Sequence, residues 1–135
     1  MHTRIRAGQR GLTLIGLLFG AFLLGFTALV LMKLFPLYNE YFKVRAAMEA
    51  VSKQPDIANM NAQEIRAFMM RNFDVSDVDR LTDADLKKYL QVTRGEGGKD
   101  RVMSMVYEAR GALFGNLDIV LKVDERLSIP GVAFE

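Results

Sequence analysis

The hydrophobic residues of this chain are concentrated in one block near its N-terminus. No charged residue occurs from Leu12 to Met32. A helix over this block would be roughly 31 Å long, which matches the hydrocarbon thickness of a bilayer. A cleaved signal peptide has a shorter apolar region followed by a small-residue cleavage site, whereas this block is followed by Lys33-Leu34-Phe35-Pro36. The pattern therefore predicts a transmembrane helix over residues 12–32.

Beyond Met32 the pattern becomes amphipathic. Apolar and aromatic residues recur at spacings of three and four, and they are Leu34, Tyr38, Tyr41, Val44, Met48 and Val51. Glu40 falls on another, polar face of the same helix. We expect the anchor to continue into this soluble helix, which ends near Pro55, with Pro36 either kinking or breaking it just outside the bilayer. Aromatic rings collect at membrane interfaces, and those near the start of this helix are Phe35, Tyr38, Tyr41 and Phe42.

The rest of the chain predicts short helices followed by strands. Asn61 and Glu64 have the spacing of a capping pair that begins a helix. Thr82 begins another. Three later segments are rich in β-branched and aromatic residues, and they are Tyr89–Arg94, Arg101–Arg110 and Leu117–Asp124. Glycine-containing turns at 95–98 and 111–116 separate them. We predict a three-stranded antiparallel meander with one face covered by helices, which is an α+β fold.

The distribution of charge predicts the orientation of the anchor. Arg4, Arg6 and Arg10 precede it, and no acidic residue occurs before Glu40. Because positive residues close to a span stay cytoplasmic, we expect a cytoplasmic basic arm (1–11), the transmembrane helix (12–32) and a periplasmic α+β domain (33–135) in a bacterial inner membrane. Without the three arginines the acids slightly outnumber the bases, so the net charge of +2 does not indicate nucleic-acid binding.

The predicted anchor carries a stripe of small residues on one side. At 100° per residue the stripe consists of Thr13, Gly16, Gly20, Leu23 and Thr27. Small residues at this spacing let a second helix approach closely. Glycine is also common in transmembrane helices that pack against nothing. The pattern is therefore compatible with a helix-packing surface, including a homodimer, and with a helix that faces only lipid.

The residue types needed for common catalytic sites are missing beyond the arm. The only histidine is His2 and there is no cysteine, which excludes serine–histidine and cysteine–histidine catalysis and most zinc sites in the domain. The acidic segment 74–85 lacks the glycine that a calcium loop requires. The segment 94–100 lacks the Ser or Thr of a phosphate-binding loop. We expect a protein that is not an enzyme and carries no cofactor or metal.

The N-terminal segment Arg10-Gly11-Leu12-Thr13-Leu14-Ile15-Gly16 resembles the class III signal of type IV pilins and pseudopilins. The resemblance implies cleavage after Gly11 and a new N-terminus at Leu12. Gly16 stands where that family has a glutamate that assists filament assembly. On this interpretation the chain is a pilin-like structural subunit.

Longer parts of the chain resemble the domain of unknown function 4845 family. The segments that carry the resemblance are Gln9–Gly16, Lys33–Tyr38, Glu40–Val44, Tyr107–Arg110 and Leu113–Asp118. The resemblance implies a small proteobacterial inner-membrane protein whose gene commonly lies near that for signal peptidase I. It implies no activity.

Together these features give two hypotheses of function. The first is a non-catalytic, bitopic inner-membrane protein that binds other envelope proteins, in its most specific form as an accessory factor of signal peptidase I or of the export machinery. Its partners are then the lipid bilayer and envelope proteins, with no nucleic acid. The alternative is a pilin-like or pseudopilin-like subunit processed after Gly11.

Overall fold

The computed structural model describes residue 11 and residues 13–131. Within them three helices precede three strands, in the order α1 Leu14–Ser52, α2 Ala62–Val75, α3 Asp83–Tyr89, β1 Leu90–Arg94, β2 Asp100–Phe114 and β3 Leu117–Pro130. The strands form one antiparallel sheet in the order β1-β2-β3. The predicted α+β class and the meander are confirmed.

The helix α1 carries the hydrophobic block. Contacts between Cα atoms divide the chain into one unit that ends at Met32 and a second that begins at Lys33. In the first unit the large apolar side chains of α1 are exposed, and by length and composition the helix is able to cross a membrane. Of the two alternatives predicted for Pro36, a kink or a break, the break is absent, because α1 is helical through this residue.

The second unit is built around the inner face of the sheet. The largest fully buried side chains come from all three helices and from the sheet, and they include Phe73, Leu37, Met48, Ile65, Met69, Leu86, Met103, Met105 and Ile129. Alternation along β2 and β3 sends every second side chain into this core. Both predicted helix starts are confirmed, because Asn61 with Glu64 and Thr82 with Asp85 form reciprocal capping boxes.

The turn predicted at 111–116 is wrong in extent. Gly111 pairs with Ile119 inside the hairpin, and the turn itself is Gly115-Asn116. A Cβ atom at Gly111 would lie 3.3 Å from Leu37 Cδ1, so this glycine allows α1 to pack closely against β2 and does not form a turn. Gly115, with a φ of 55°, occupies the left-handed backbone conformation that the turn requires.

The buried stripe of α1 beyond Lys33 agrees with the predicted one at Val44, Met48 and Val51 and differs from it only at its start. Leu37 and Glu40 are buried, whereas Tyr38 is exposed. The placement of Glu40 on a solvated face is therefore wrong. The helix is rotated so that Leu37, Glu40 and Val44 face the core, and Glu40 is accommodated because the side chain of Arg80 lies beside it.

Candidate functional site

A carboxylate is buried where α1 packs against the sheet. Glu40 is 9% exposed, and its Oε2 lies 3.6 Å from Nη1 of Arg80, which belongs to the loop between α2 and α3. The same guanidinium donates from Nη2 to the backbone oxygen of Arg110 on β2 at 2.6 Å. Burial raises the pKa of Glu40, and the positive charge of Arg80 opposes that shift. Arg80 thus connects α1, its own loop and β2.

Tyr107 of β2 places a hydroxyl group close to this pair. Its hydroxyl oxygen is buried and has no hydrogen-bond partner among the described residues. Burial, and then the negative charge of Glu40, raise its pKa, so the phenol stays protonated and is unsuited to act as a base near pH 7. The ring packs against Tyr89, with centroids 5.9 Å apart.

These groups line an open cleft of about 270 Å³. Its wall also includes Asp85, Glu108 and Arg110. The cleft presents ion pairs and one protonated hydroxyl, which suits polar contact with another molecule better than covalent chemistry. Among the described residues, no cluster of three or more His, Cys, Asp or Glu side chains is placed to hold a metal ion.

The strand β3 forms one edge of the sheet. It pairs with β2 over its length, and no other strand of the described chain pairs with it. In an antiparallel edge strand, alternate backbone N–H and C=O groups point away from the neighbouring strand and are free to bind another chain. On the inner side of this edge the partly buried apolar residues are Ile119, Leu121 and Leu127.

A hydrogen bond from α1 holds the middle of β3. The Tyr41 hydroxyl donates a hydrogen bond to the Glu125 carboxylate, which raises the pKa of Tyr41. The negative charge of Glu125 in turn raises the pKa of Arg45. On the outer face Arg126 pairs with Asp124 at 2.9 Å. The edge strand is therefore held by the helix and presents alternating charges to solvent.

A model of one protein family, described as Domain of unknown function (DUF4845), matches residues 33–122, which is more than half of the chain. The chain belongs to this family. Neither the curated proteins nor the solved structures gave a match. The matched DUF4845 region contains Glu40, Arg80 and Tyr107, and it includes the first part of β3.

The stripe predicted for helix packing lies before the matched DUF4845 region. Gly16 N–H donates to Thr13 Oγ1 at 3.2 Å, so Thr13 caps α1. The Thr27 hydroxyl donates to the Leu23 backbone oxygen at 2.8 Å. Both threonines thus bind within their own helix. A Cβ atom at Gly20 would meet nothing within 4 Å, so the glycine leaves an open surface.

The residues predicted for processing and orientation lie mostly beyond what the structure covers. Gly11 is exposed and precedes α1. Leu12, Arg4, Arg6 and Arg10 lie outside the described residues. The structure therefore leaves cleavage after Gly11 and the cytoplasmic arm as predictions.

The ion pair of Glu40 with Arg80 and the adjacent cleft of the DUF4845 domain were not predicted from the sequence. A signal for Glu40 was present, because its spacing from Val44 and Ala47 places it on their helix face. Arg80 and Tyr107 gave no such signal, since they meet Glu40 only through long-range packing.

Proposed function

We propose that this chain is a non-catalytic, membrane-tethered protein whose DUF4845 domain binds an extended segment of another envelope protein at the free edge of β3. The observation that carries the proposal is this edge, which extends from Leu117 to Pro130 without a strand partner in the described chain. A segment that adds to such an edge forms backbone hydrogen bonds along it, and the flanking side chains provide selectivity.

The side chains of β3 support this mode of binding. An added strand would cover the partly buried Ile119, Leu121 and Leu127, which contributes favourable apolar burial. On the outer face Lys122, Asp124 and Arg126 alternate in charge, so opposite charges on the added strand would select its register. The same charges oppose indiscriminate pairing with other strands.

The location of the domain follows from the basic arm. Arg4, Arg6 and Arg10 favour a cytoplasmic N-terminus, which supports a periplasmic location for the domain in our proposal. The absence of histidine and cysteine beyond the arm supports a non-catalytic role. The most specific partner we propose is signal peptidase I or another export component, on the strength of the family resemblance.

Photo-crosslinking tests the edge directly. A photoreactive amino acid at Lys122, whose side chain lies on the exposed face of β3, is expected to form a protein adduct in cells. The matched control is Gln91 on β1, which is also exposed in a strand. Adducts are identified by mass spectrometry, so signal peptidase I, another envelope protein and a second copy of the chain are distinguished. Equal adducts from both positions would contradict the edge proposal.

A proline scan over residues 120, 121 and 123–125, with the photoreactive amino acid kept at position 122, separates edge binding from loss of fold. Edge strands accept proline only where the backbone N–H faces away from the sheet. We expect alternate positions to keep the domain folded, by hydrogen exchange, and to lose the adduct from Lys122. Folded proline variants that keep the adduct would show that backbone pairing is not involved.

The helix stripe provides a second contact in the proposal. Gly16→Leu with Gly20→Leu fills the surface left by the glycines, and we expect it to remove a crosslinked membrane partner or homodimer. Gly25→Leu, on another face of the helix, is the matched control and is expected to leave crosslinking unchanged. If the natural chain, the Gly16/Gly20 double variant and Gly25→Leu all recover the same proteins, α1 faces only lipid.

A pilin-like subunit is the second candidate. The observation that favours it is that α1 begins at Leu14, three residues beyond Gly11, with Thr13 as its cap. If this function is correct, intact-mass analysis of protein from its own membrane is expected to show loss of residues 1–11 and methylation at Leu12. An intact N-terminus would exclude processing.

A further inference from the structure

The tip of the β2–β3 hairpin exposes two large apolar side chains. Phe114 is 71% exposed and Leu117 is 58% exposed. They flank the two-residue turn Gly115-Asn116, which carries no charge. Hairpin turns on a solvated surface are usually flanked by polar residues, so this apolar tip suits an environment less polar than water.

Three contacts within the domain show where the tip points. Leu37 of α1 lies against Gly111. Further along α1, Tyr41 binds Glu125, whose partner on β2 is Met105. Beyond the end of α1, the carbonyls of residues 57–60 bind Arg101 at the start of β2. Residue numbers on β2 fall from 111 to 101 as those on α1 and its linker rise from 37 to 60. The strand β2 and this part of α1 therefore run antiparallel.

The hairpin tip therefore lies at the same end of the domain as Lys33. From Gly111 to the turn is four residues, or about 13 Å of strand. From Leu37 back to Lys33 is also four residues, but only about 6 Å of helix. The tip thus extends at least as far toward this end as Lys33 does. The exposed aromatic residues near the same end are Phe35 and Tyr38.

Lys33 directly follows the predicted span in the sequence, so the chain itself joins this end of the domain to the membrane anchor. We propose that Phe114 and Leu117 insert into the interfacial layer of the membrane that α1 crosses, which makes the hairpin tip a second point of attachment for the domain. The inference rests on the membrane anchoring in the proposed function. Phenylalanine and leucine are suited to this layer, and Arg110 and Asp118, which flank the tip, limit the depth of insertion.

Single-cysteine labelling of the full chain tests this attachment, because the natural sequence has no cysteine. Asn116→Cys, labelled with an environment-sensitive fluorophore and reconstituted in phosphatidylcholine–phosphatidylglycerol vesicles, is expected to show blue-shifted emission. Nitroxide-labelled lipids are expected to quench it. The matched control is Glu96→Cys in the other hairpin, between β1 and β2, which is expected to remain unshifted and unquenched by lipid.

A third label separates failure of this inference from failure of the anchor. Leu24→Cys, at an exposed position of α1, reports whether the span enters the bilayer. Quenching at position 24 without quenching at 116 would overturn the hairpin inference alone. No quenching at 24 would overturn both. A label at 116 that is shielded from a soluble quencher and also from lipid quenchers would indicate a protein contact and would overturn the inference.

The two apolar side chains provide the final check. Phe114→Ser with Leu117→Ser, carrying the label at position 116, is expected to lose the emission shift and the lipid quenching. Val106→Ser with Val120→Ser removes exposed apolar side chains from the outer face of the same strands and is expected to change neither signal. Retained quenching in the Phe114/Leu117 variant would overturn the proposed role of these side chains.

Discussion

Replacing Arg80 with alanine is expected to lower the free energy of unfolding of the domain at pH 7 by about 1–3 kcal/mol, because it leaves a buried carboxylate without its partner. Glu40 is buried, whereas about half of the Arg80 side chain is exposed. Removing the arginine therefore leaves the Glu40 carboxylate, the more buried group of the pair, charged and without an opposite charge. Its hydrogen bond to the Arg110 carbonyl is lost in the same substitution.

The pH dependence of this effect has a definite sign. Burial raises the pKa of Glu40 in the folded state, and loss of the Arg80 charge raises it further. A raised carboxyl pKa contributes stability that is present below the unfolded value and is lost as the pH rises through the folded value. The deficit of Arg80→Ala is therefore expected to be largest near pH 7 and to shrink as the pH falls toward about 4, the unperturbed value for glutamate.

A double variant separates the two interactions of Arg80. Glu40→Gln removes the buried charge, so Arg80→Ala is expected to cost less in that background than in the natural chain. Equal costs would show that only the Arg110 carbonyl matters. Arg126→Ala, whose ion pair with Asp124 is exposed, is the matched control and is expected to change stability little. Hydrogen exchange of β2 amides in the full chain, held in detergent micelles, measures all four variants.

Local rules predicted the parts of the fold that depend on neighbouring residues. The capping boxes at Asn61 and Thr82 depend on pairs three residues apart, so they were predictable from sequence. The segment 117–124 was likewise predicted as a strand from its residue types, and it forms the first part of β3. The strand continues beyond the predicted end at Asp124 to Pro130. The charged residues 124–126 interrupt the hydrophobic pattern in the sequence, but they still pair with β2.

The predictions that were wrong concern residues whose positions depend on packing between segments that are distant in the sequence. Gly111 carries the same local signal as a turn glycine, and only the approach of Leu37 explains it. The spacing of Glu40 from Val44 and Ala47 indicates the buried helix face, but a charged residue is tolerated there because Arg80, forty residues later, supplies the opposite charge. The cleft beside Tyr107 follows from the same long-range contact, so no local pattern could have predicted it.

The second large effect is expected at Arg101, the residue that joins β2 to the linker after α1. Its guanidinium donates to the carbonyl oxygens of Ile57, Ala58 and Met60, with 2.6 Å to Met60. Arg101→Met is expected to lower the free energy of unfolding by about 2–3 kcal/mol, because hydrogen bonds to a charged group are lost and carbonyls in a partly buried turn lose their donor.

Arg101→Lys distinguishes the shape of the guanidinium from its charge. Lysine keeps the charge but presents one compact ammonium group, which cannot reach several carbonyls in a planar fork. We expect its stability to lie between those of the natural chain and Arg101→Met, and full stability with lysine would contradict the need for the fork.

The matched control is Arg94→Met. Arg94 lies directly opposite Arg101 on β1, and because like charges on paired strands repel, its removal is expected to leave the domain as stable or slightly more stable. The linker at 57–60 is thus held to the sheet by the fork of Arg101, and hydrogen exchange of the amides that follow it is the measurement that reports its release.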